Sequence, residues 1–264
     1  MSSIELLNEL FRKAFHKTVK KATYLKIKEI SSILDISLFI ESQNKKNKTK
    51  GVLTNEIKDQ IEGKECAELC EIAKRVKLPI EIEVKEILKH NIEVKTVIDS
   101  GICLPLDIFL HENQCLRELF TTECDLYNVN NVVKSNNCVP HVIQGLYILA
   151  IGKENNYSII KLGSFAETQG LYKRINSFGG GNYETGSLTN RWFQQFIKNV
   201  LVEGFTAKFV YFNNTRQEKI CIKDLNGNDI EMMPYIMRPL ETQLFEKYRD
   251  TNNNIPPIFG SNCL

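Results

Sequence analysis

Tyr147, Lys161, Arg174 and Glu241 are side chains whose types could do chemistry. A guanidinium grips a phosphate through two parallel N–H donors. A phenol has an ordinary pKa of about 10, and nearby cations make its proton easier to lose. A glutamate holds a hard divalent cation that keeps most of its waters. These types match what phosphodiester hydrolysis demands: a nucleophilic water, charge stabilisation on the phosphoryl oxygens, and help for the leaving oxygen. The competing chemistries are thinner. Eight cysteines (66, 70, 103, 115, 124, 138, 221 and 263) contain no C-x-x-C pair. Cys66 and Cys70, four apart, could join His90 or His111 on zinc, but they fit better as small apolar residues on a helix face. The run Phe178-Gly179-Gly180-Gly181 lacks the spacing and following Lys-Ser/Thr of a nucleotide loop.

The elements that must position the set begin with two β-rich runs, Leu146–Ile151 and Tyr157–Gly163, around the polar turn Gly152–Asn156. That pattern predicts a β-hairpin. Gly163-Ser164 is expected to end its second strand, and a helical segment carrying Lys173 and Arg174 follows. Gly145-Leu146-Tyr147 resembles the first signature of the GIY-YIG nuclease family, and Lys161-Leu162-Gly163 stands where that family has its second. Thirteen residues separate Tyr147 from Lys161, which suits the resemblance. Lys161 replaces the usual tyrosine, a variant of restriction-type and phage-type branches.

The resemblance implies the roles. Tyr147 lies against the attacking water and takes its proton. Arg174, on the first helix, grips the scissile phosphate. Glu241, near the start of a helix expected from Pro239, holds Mg²⁺ or Mn²⁺. Lys161 orients the water or protonates a product oxygen. Asn262, in the tail, stands where an asparagine closes the family's site. Taken singly, Tyr147 is a packed strand tyrosine, Lys161 a snorkelling lysine, Arg174 a helix arginine and Glu241 a charge favoured by a helix dipole. Their shared order is what supports the catalytic set. His141, just before the first strand, is expected to be structural.

The implied fold is α+β: a small central antiparallel β-sheet flanked by helices, at residues 141–264, behind an N-terminal mostly helical region at 1–140. The boundary falls near the Asn- and Pro-containing stretch 137–141. Ala207–Phe212 is the expected third strand. Asn226-Gly227, between Lys219–Ile222 and Ile230–Met233, marks an inserted hairpin. The helix carrying Arg191, Trp192, Phe193, Phe196 and Ile197 has apolar spacing typical of a core face.

In the N-terminal region, residues 3–21 read as an amphipathic helix with lysines on its polar face. Leu25–Ser37 is similar to the first helix and turn of a helix-turn-helix unit, or is a short packing helix. Thr54 is expected to cap a helix through Ile61, and Glu65–Val76 to form another. Ile80–Val84 is strand-like or a short acidic helix, and residues 91–110 contain short β-like runs. Residues 1–50 carry 11 Lys/Arg against 5 Asp/Glu, so the arm is basic where a DNA binder would be. Lys45, Lys46, Lys48, Lys50, Lys173 and Arg191 are the candidate DNA contacts.

No apolar run approaches the roughly 20 residues that span a bilayer, and no signal peptide is visible, so a cytoplasmic location is expected. The implied partner is double-stranded DNA, recognised sequence-specifically in a restriction-type setting; cutting both strands needs two sites, hence a homodimer or sequential nicking. Two rivals stay open. One is a non-catalytic DNA-binding or interaction protein on the same fold, favoured by Lys161 and the inserted hairpin. The other is a repair or RNA nuclease.

Overall fold

The computed structural model describes residues 2–38, 47–82, 84–129, 132–135, 144–166, 188–213, 220–223, 229–232, 237–252 and 255–259. Contacts divide the chain into two compact units, one of residues 1–104 with 248–260, the other of residues 105–247 with 261–264.

The first unit is helical: α1 (Ser3–Lys21), α2 (Tyr24–Ile33), α3 (Lys50–Gln60), α4 (Cys66–Arg75), α5 (Val84–Lys89) and α6 (Val94–Asp99). Helix α1 starts at a capping box in which Ser2 and Glu5 satisfy each other's backbone donors. Leu7, Phe11, Phe15 and Val19 recur four apart and are fully buried, the stripe that fastens an amphipathic helix to a core. Burial of each contributes about 1.5–3 kcal/mol. Asn8 of α1 accepts from the backbone N–H of Cys66 at 3.0 Å. It thereby supplies the start of α4 with a cap that Glu65 does not provide. Arg12 donates to the Lys64 carbonyl at 2.9 Å. The C-terminal segment belongs here through Asn252, whose Nδ2 shares its donors among the carbonyls of Ile102 and Ile255 and the Tyr248 hydroxyl, at 3.0–3.2 Å.

Three expectations change in this unit. The cap of α3 is Thr49, whose hydroxyl accepts from Val52 N–H. Thr54 is inside the helix and donates back to the Lys50 carbonyl. Residues 94–99 are a helix rather than a β-like run, as are residues 106–112 of the second unit; the β-branched residues of 94–99 are there for apolar packing, with Val94 and Val97 buried. The strand alternative at 80–84 also gives way, since Val84 opens α5.

The second unit holds α7 (Leu106–Glu112) and α8 (Gln114–Leu119), followed by a five-stranded, wholly antiparallel sheet. Its strands are β1 (Thr122–Val129), β2 (Val132–Ser135), β3 (Gln144–Lys153), β4 (Asn156–Ala166) and β5 (Thr206–Asn213), ordered β2-β1-β5-β3-β4. The fold is thus α+β, with flanking helices at Leu188–Val202 and Met237–Thr251. The expected hairpin is β3–β4. Its turn is Glu154-Asn155 with φ of 49° and 72°, the mirror-image turn that matches strand twist. Every residue of β3 from Gln144 to Gly152 is buried, as befits an inner strand under cover on both faces. Strands β6 (Ile220–Lys223) and β7 (Asp229–Met232) form the separate hairpin. The pair β1–β2 adds two strands that precede residue 140, so the sheet begins before the expected boundary at 137–141. Cys124 and Leu126 are buried while Glu123 is exposed, an alternation that marks β1.

Candidate active site

The two signature segments lie side by side on β3 and β4. Tyr147 pairs with Gly163, and Gly145 pairs with Phe165. Each couple sets a glycine opposite an aromatic ring. A Cβ on Gly163 would stand 2.5 Å from both Cζ and Oη of Tyr147, and one on Gly145 would stand 2.6 Å from Cζ of Phe165. The phenol ring therefore crosses flat over Gly163, carrying its hydroxyl from the inner strand to the edge strand β4. A side chain at position 163 would occupy the space of the Tyr147 ring, and one at position 145 would first meet the Phe212 backbone carbonyl oxygen, 2.1 Å from its Cβ, and then the Phe165 ring. It also explains why β4 does not end at Gly163-Ser164 as expected but continues to Ala166. The Tyr147 ring covers the glycine that would otherwise weaken the strand.

One row of the sheet reads Gly163, Tyr147, Tyr211 and Thr122 from β4 to β1. Side chains alternate along a strand, so Lys161, Gly163, Tyr147 and Tyr211 share one face. Tyr147 is 2% exposed and its ring lies 5.2 Å from that of Phe209 at a 57° tilt. Tyr211 is the neighbour that sequence reasoning missed. Burial, with a smaller contribution from Cys124, raises its phenol pKa above the usual value. Lys161 is half-buried, its Nζ 5.8 Å from the Phe193 ring centroid. Phe193 belongs to the Leu188–Val202 helix, where Phe193, Phe196, Ile197 and Val200 are core. Arg191 of that helix is half-buried, and Trp192 is 39% exposed.

Glu241 is delivered by the Met237–Thr251 helix, which buries Met237, Leu244 and Phe245. The helix starts two residues before Pro239, whose missing N–H is harmless in a first turn. The Glu241 Oε2 accepts a 2.6 Å hydrogen bond from the Ser164 hydroxyl. Ser164 follows Gly163 directly and points to the other side of β4 from Lys161. The Tyr147 hydroxyl and the Glu241 carboxylate thus reach two consecutive residues of one edge strand. The signal for Ser164 was present in its position after the second signature.

The donor set suits a hard cation in a particular way. Among the described residues no cluster of three or more His, Cys, Asp or Glu could hold a metal alone. A single half-exposed carboxylate fits Mg²⁺ or Mn²⁺, which keeps several waters and takes phosphate oxygens from a substrate. Cys66 and Cys70 are both buried on α4, and burial pushes both thiols up to about 12.

The remaining candidates are distributed differently. Lys48 lies 2.8 Å from both Glu56 carboxylate oxygens, and Lys50 opens α3 and donates to the Ala22 carbonyl at 2.7 Å. Lys45, Lys46, Lys173, Arg174 and Asn262, with His141 and the glycine run at 179–181, lie outside the described residues. Among the described residues no helix is long and apolar enough to cross a membrane.

No protein-family model matches the chain, and no curated protein matches it. Two solved structures are similar to it. A mutant of bacteriophage T4 EndoII aligns at 20% identity and TM-score 0.35, covering 52% of this chain and 96% of that one. Restriction endonuclease HPY188I in complex with product DNA aligns at 19% identity and TM-score 0.33, covering 56% of this chain and 83% of that one.

Proposed function

We propose that the chain is a metal-dependent DNA endonuclease of the GIY-YIG kind, hydrolysing phosphodiester bonds at the β3–β4 edge. The observation that carries this is the Tyr147 ring laid over Gly163, with Lys161 on the same face of β4, and the Glu241 carboxylate held at the other face of that edge strand by the next residue, Ser164. A tyrosine, a carboxylate and a lysine around one edge strand are the parts needed to attack a phosphodiester.

In this mechanism Tyr147 reacts as the phenolate that the positive charges of Lys161 and Arg174 favour, and its Oη takes the proton of the attacking water and becomes the phenol. Arg174 would hold the scissile phosphate bidentately and balance the charge that grows on its oxygens. Lys161 orients the water or supplies a proton to a product oxygen. Glu241 would hold Mg²⁺ or Mn²⁺, which when bound stabilises the leaving 3′ oxygen. The basic N-terminal region would bind the duplex, and two copies or two successive nicks would cut both strands. Asn262 would close the site.

The test incubates plasmid and linear duplex with the purified chain and Mg²⁺ or Mn²⁺, with and without chelator, beside Glu241→Ala. Discrete fragments that vanish with chelator or with Glu241→Ala are expected, and would establish a sequence-specific enzyme. Random nicking would leave the nuclease and remove the restriction-type specificity. Intact DNA under every metal, with duplex binding retained, would make this a non-catalytic DNA-binding protein.

A further inference from the structure

Ser164 holds the carboxylate on which the proposed chemistry turns, 77 residues away in sequence. We propose that Ser164 is the positioning residue for Glu241: its hydroxyl fixes the carboxylate in the orientation that accepts the divalent cation. The inference rests on the nuclease reading above and adds to it a residue outside both signatures.

Three observations support it. First, the bond is 2.6 Å long, within the range of charge-assisted O–H to carboxylate bonds, which are about twice as strong as neutral ones. Second, the donor is rigid. Ser164 is 4% exposed on a strand paired with β3, and its hydroxyl turns about one side-chain torsion. Glutamate has three torsions and loses about 1.5–2 kcal/mol of rotamer freedom when fixed. A hydrogen bond that fixes Glu241 beforehand removes that cost from metal binding. Third, the bond engages Oε2 through one lone pair, and an ionised carboxylate has about four acceptor sites. Capacity for a cation remains on a side chain that is half-exposed. Partners that orient a ligand in this way typically change metal affinity 10- to 100-fold.

The experiment measures Mn²⁺ binding to the full chain by titration calorimetry, alongside the Mn²⁺ dependence of plasmid nicking. The proteins are wild type, Ser164→Ala, Ser164→Thr, Glu241→Ala, Glu241→Gln and the double variant Ser164→Ala with Glu241→Gln. Ser164→Ala is expected to weaken Mn²⁺ binding about tenfold or more and to regain most of its nicking rate at high Mn²⁺. Ser164→Thr keeps the donor and should bind as wild type does. In the Glu241→Gln background, Ser164→Ala should weaken binding no further. If Ser164→Ala binds Mn²⁺ as tightly as wild type while Glu241→Ala does not, the positioning role is wrong and the nuclease reading stands. If Glu241→Ala binds and nicks like wild type, or wild type binds no Mn²⁺, the metal role of Glu241 and the positioning role fall together.

Discussion

Replacing Gly163 with alanine probes the packing that carries the Tyr147 hydroxyl to the edge strand. The added Cβ would stand 2.5 Å from Cζ and Oη and 2.7 Å from Cε1 of Tyr147. Carbon pairs are comfortable at about 3.5–4.0 Å, so the ring has to retreat by about 1 Å. It has little room: the side chain is 2% exposed and already rests against Phe209. Overpacking of this kind costs about 1–3 kcal/mol. With a urea slope of about 2 kcal/mol/M, the midpoint should fall by roughly 0.5–1.5 M. Tyr147→Phe brings no relief, because Cζ remains. Tyr147→Leu does, and in that background Gly163→Ala should cost less than about 0.5 kcal/mol, with a gain possible from the stiffer unfolded chain. The coupling between the two sites should thus be about 1–3 kcal/mol. Urea unfolding followed through Trp192, the chain's single tryptophan, reads it directly. A neutral Gly163→Ala, or an equal cost in both backgrounds, would refute the ring-over-glycine packing.

Three further outcomes follow from the same contacts. Asn252→Ala strips donors from the Ile102 and Ile255 carbonyls and from Tyr248; a loss of about 2–4 kcal/mol is expected by far-UV circular dichroism in urea, and a loss under about 0.5 kcal/mol would contradict the network. Burial first, then the charges of Lys20 and Lys58, lower the His16 pKa, with Asp59 acting the other way. Its contribution is therefore fully present above the unfolded value of about 6.5 and is lost as pH falls through the depressed folded value. Between about pH 7 and 5, His16→Gln should flatten the fall in urea midpoint; an unchanged slope would argue against it. Burial pushes Cys103 up to about 12 and, with Asp125 and Glu123 adding to it, Cys124 up to about 11. Of the five described thiols, exposed Cys115 should be alkylated first in the native protein. Mass spectrometry that finds Cys66, Cys70, Cys103 or Cys124 labelled as fast would contradict the burial.

The sheet unit was legible wherever short-range rules act. The hairpin around a polar turn, the apolar strand β3 and the third strand all follow from local pattern, as do α1 and α4; the turn itself is tighter than the polar run Gly152–Asn156. What escaped was decided by partners distant in sequence. Gly163-Ser164 looks like a strand end until Tyr147 is laid over it. Residues 94–99 look β-like because valine, threonine and isoleucine favour strands, yet burial of Val94 and Val97 makes them a helix. Strand β1 was hidden behind the asparagines that follow it. Tyr147 and Glu241 were singled out by resemblance, whereas the bond from Ser164 to Glu241 and the place of Tyr211 beside Tyr147 come from the packing of a helix 77 residues on and the pairing of strands. The lysines at 48 and 50 show what a basic run leaves unread: their own partners are the Glu56 carboxylate and the Ala22 carbonyl.

The most direct measurement is the single-turnover nicking rate of Tyr147→Phe on supercoiled plasmid, at protein concentrations that saturate duplex binding. The substitution keeps the ring over Gly163 and removes only the hydroxyl, so folding and DNA affinity should match wild type. If that hydroxyl takes the water's proton, the rate should fall by about 10²- to 10⁴-fold. A Tyr147→Phe protein that nicks as fast as wild type would show that the phenol at the edge of the sheet is packing alone.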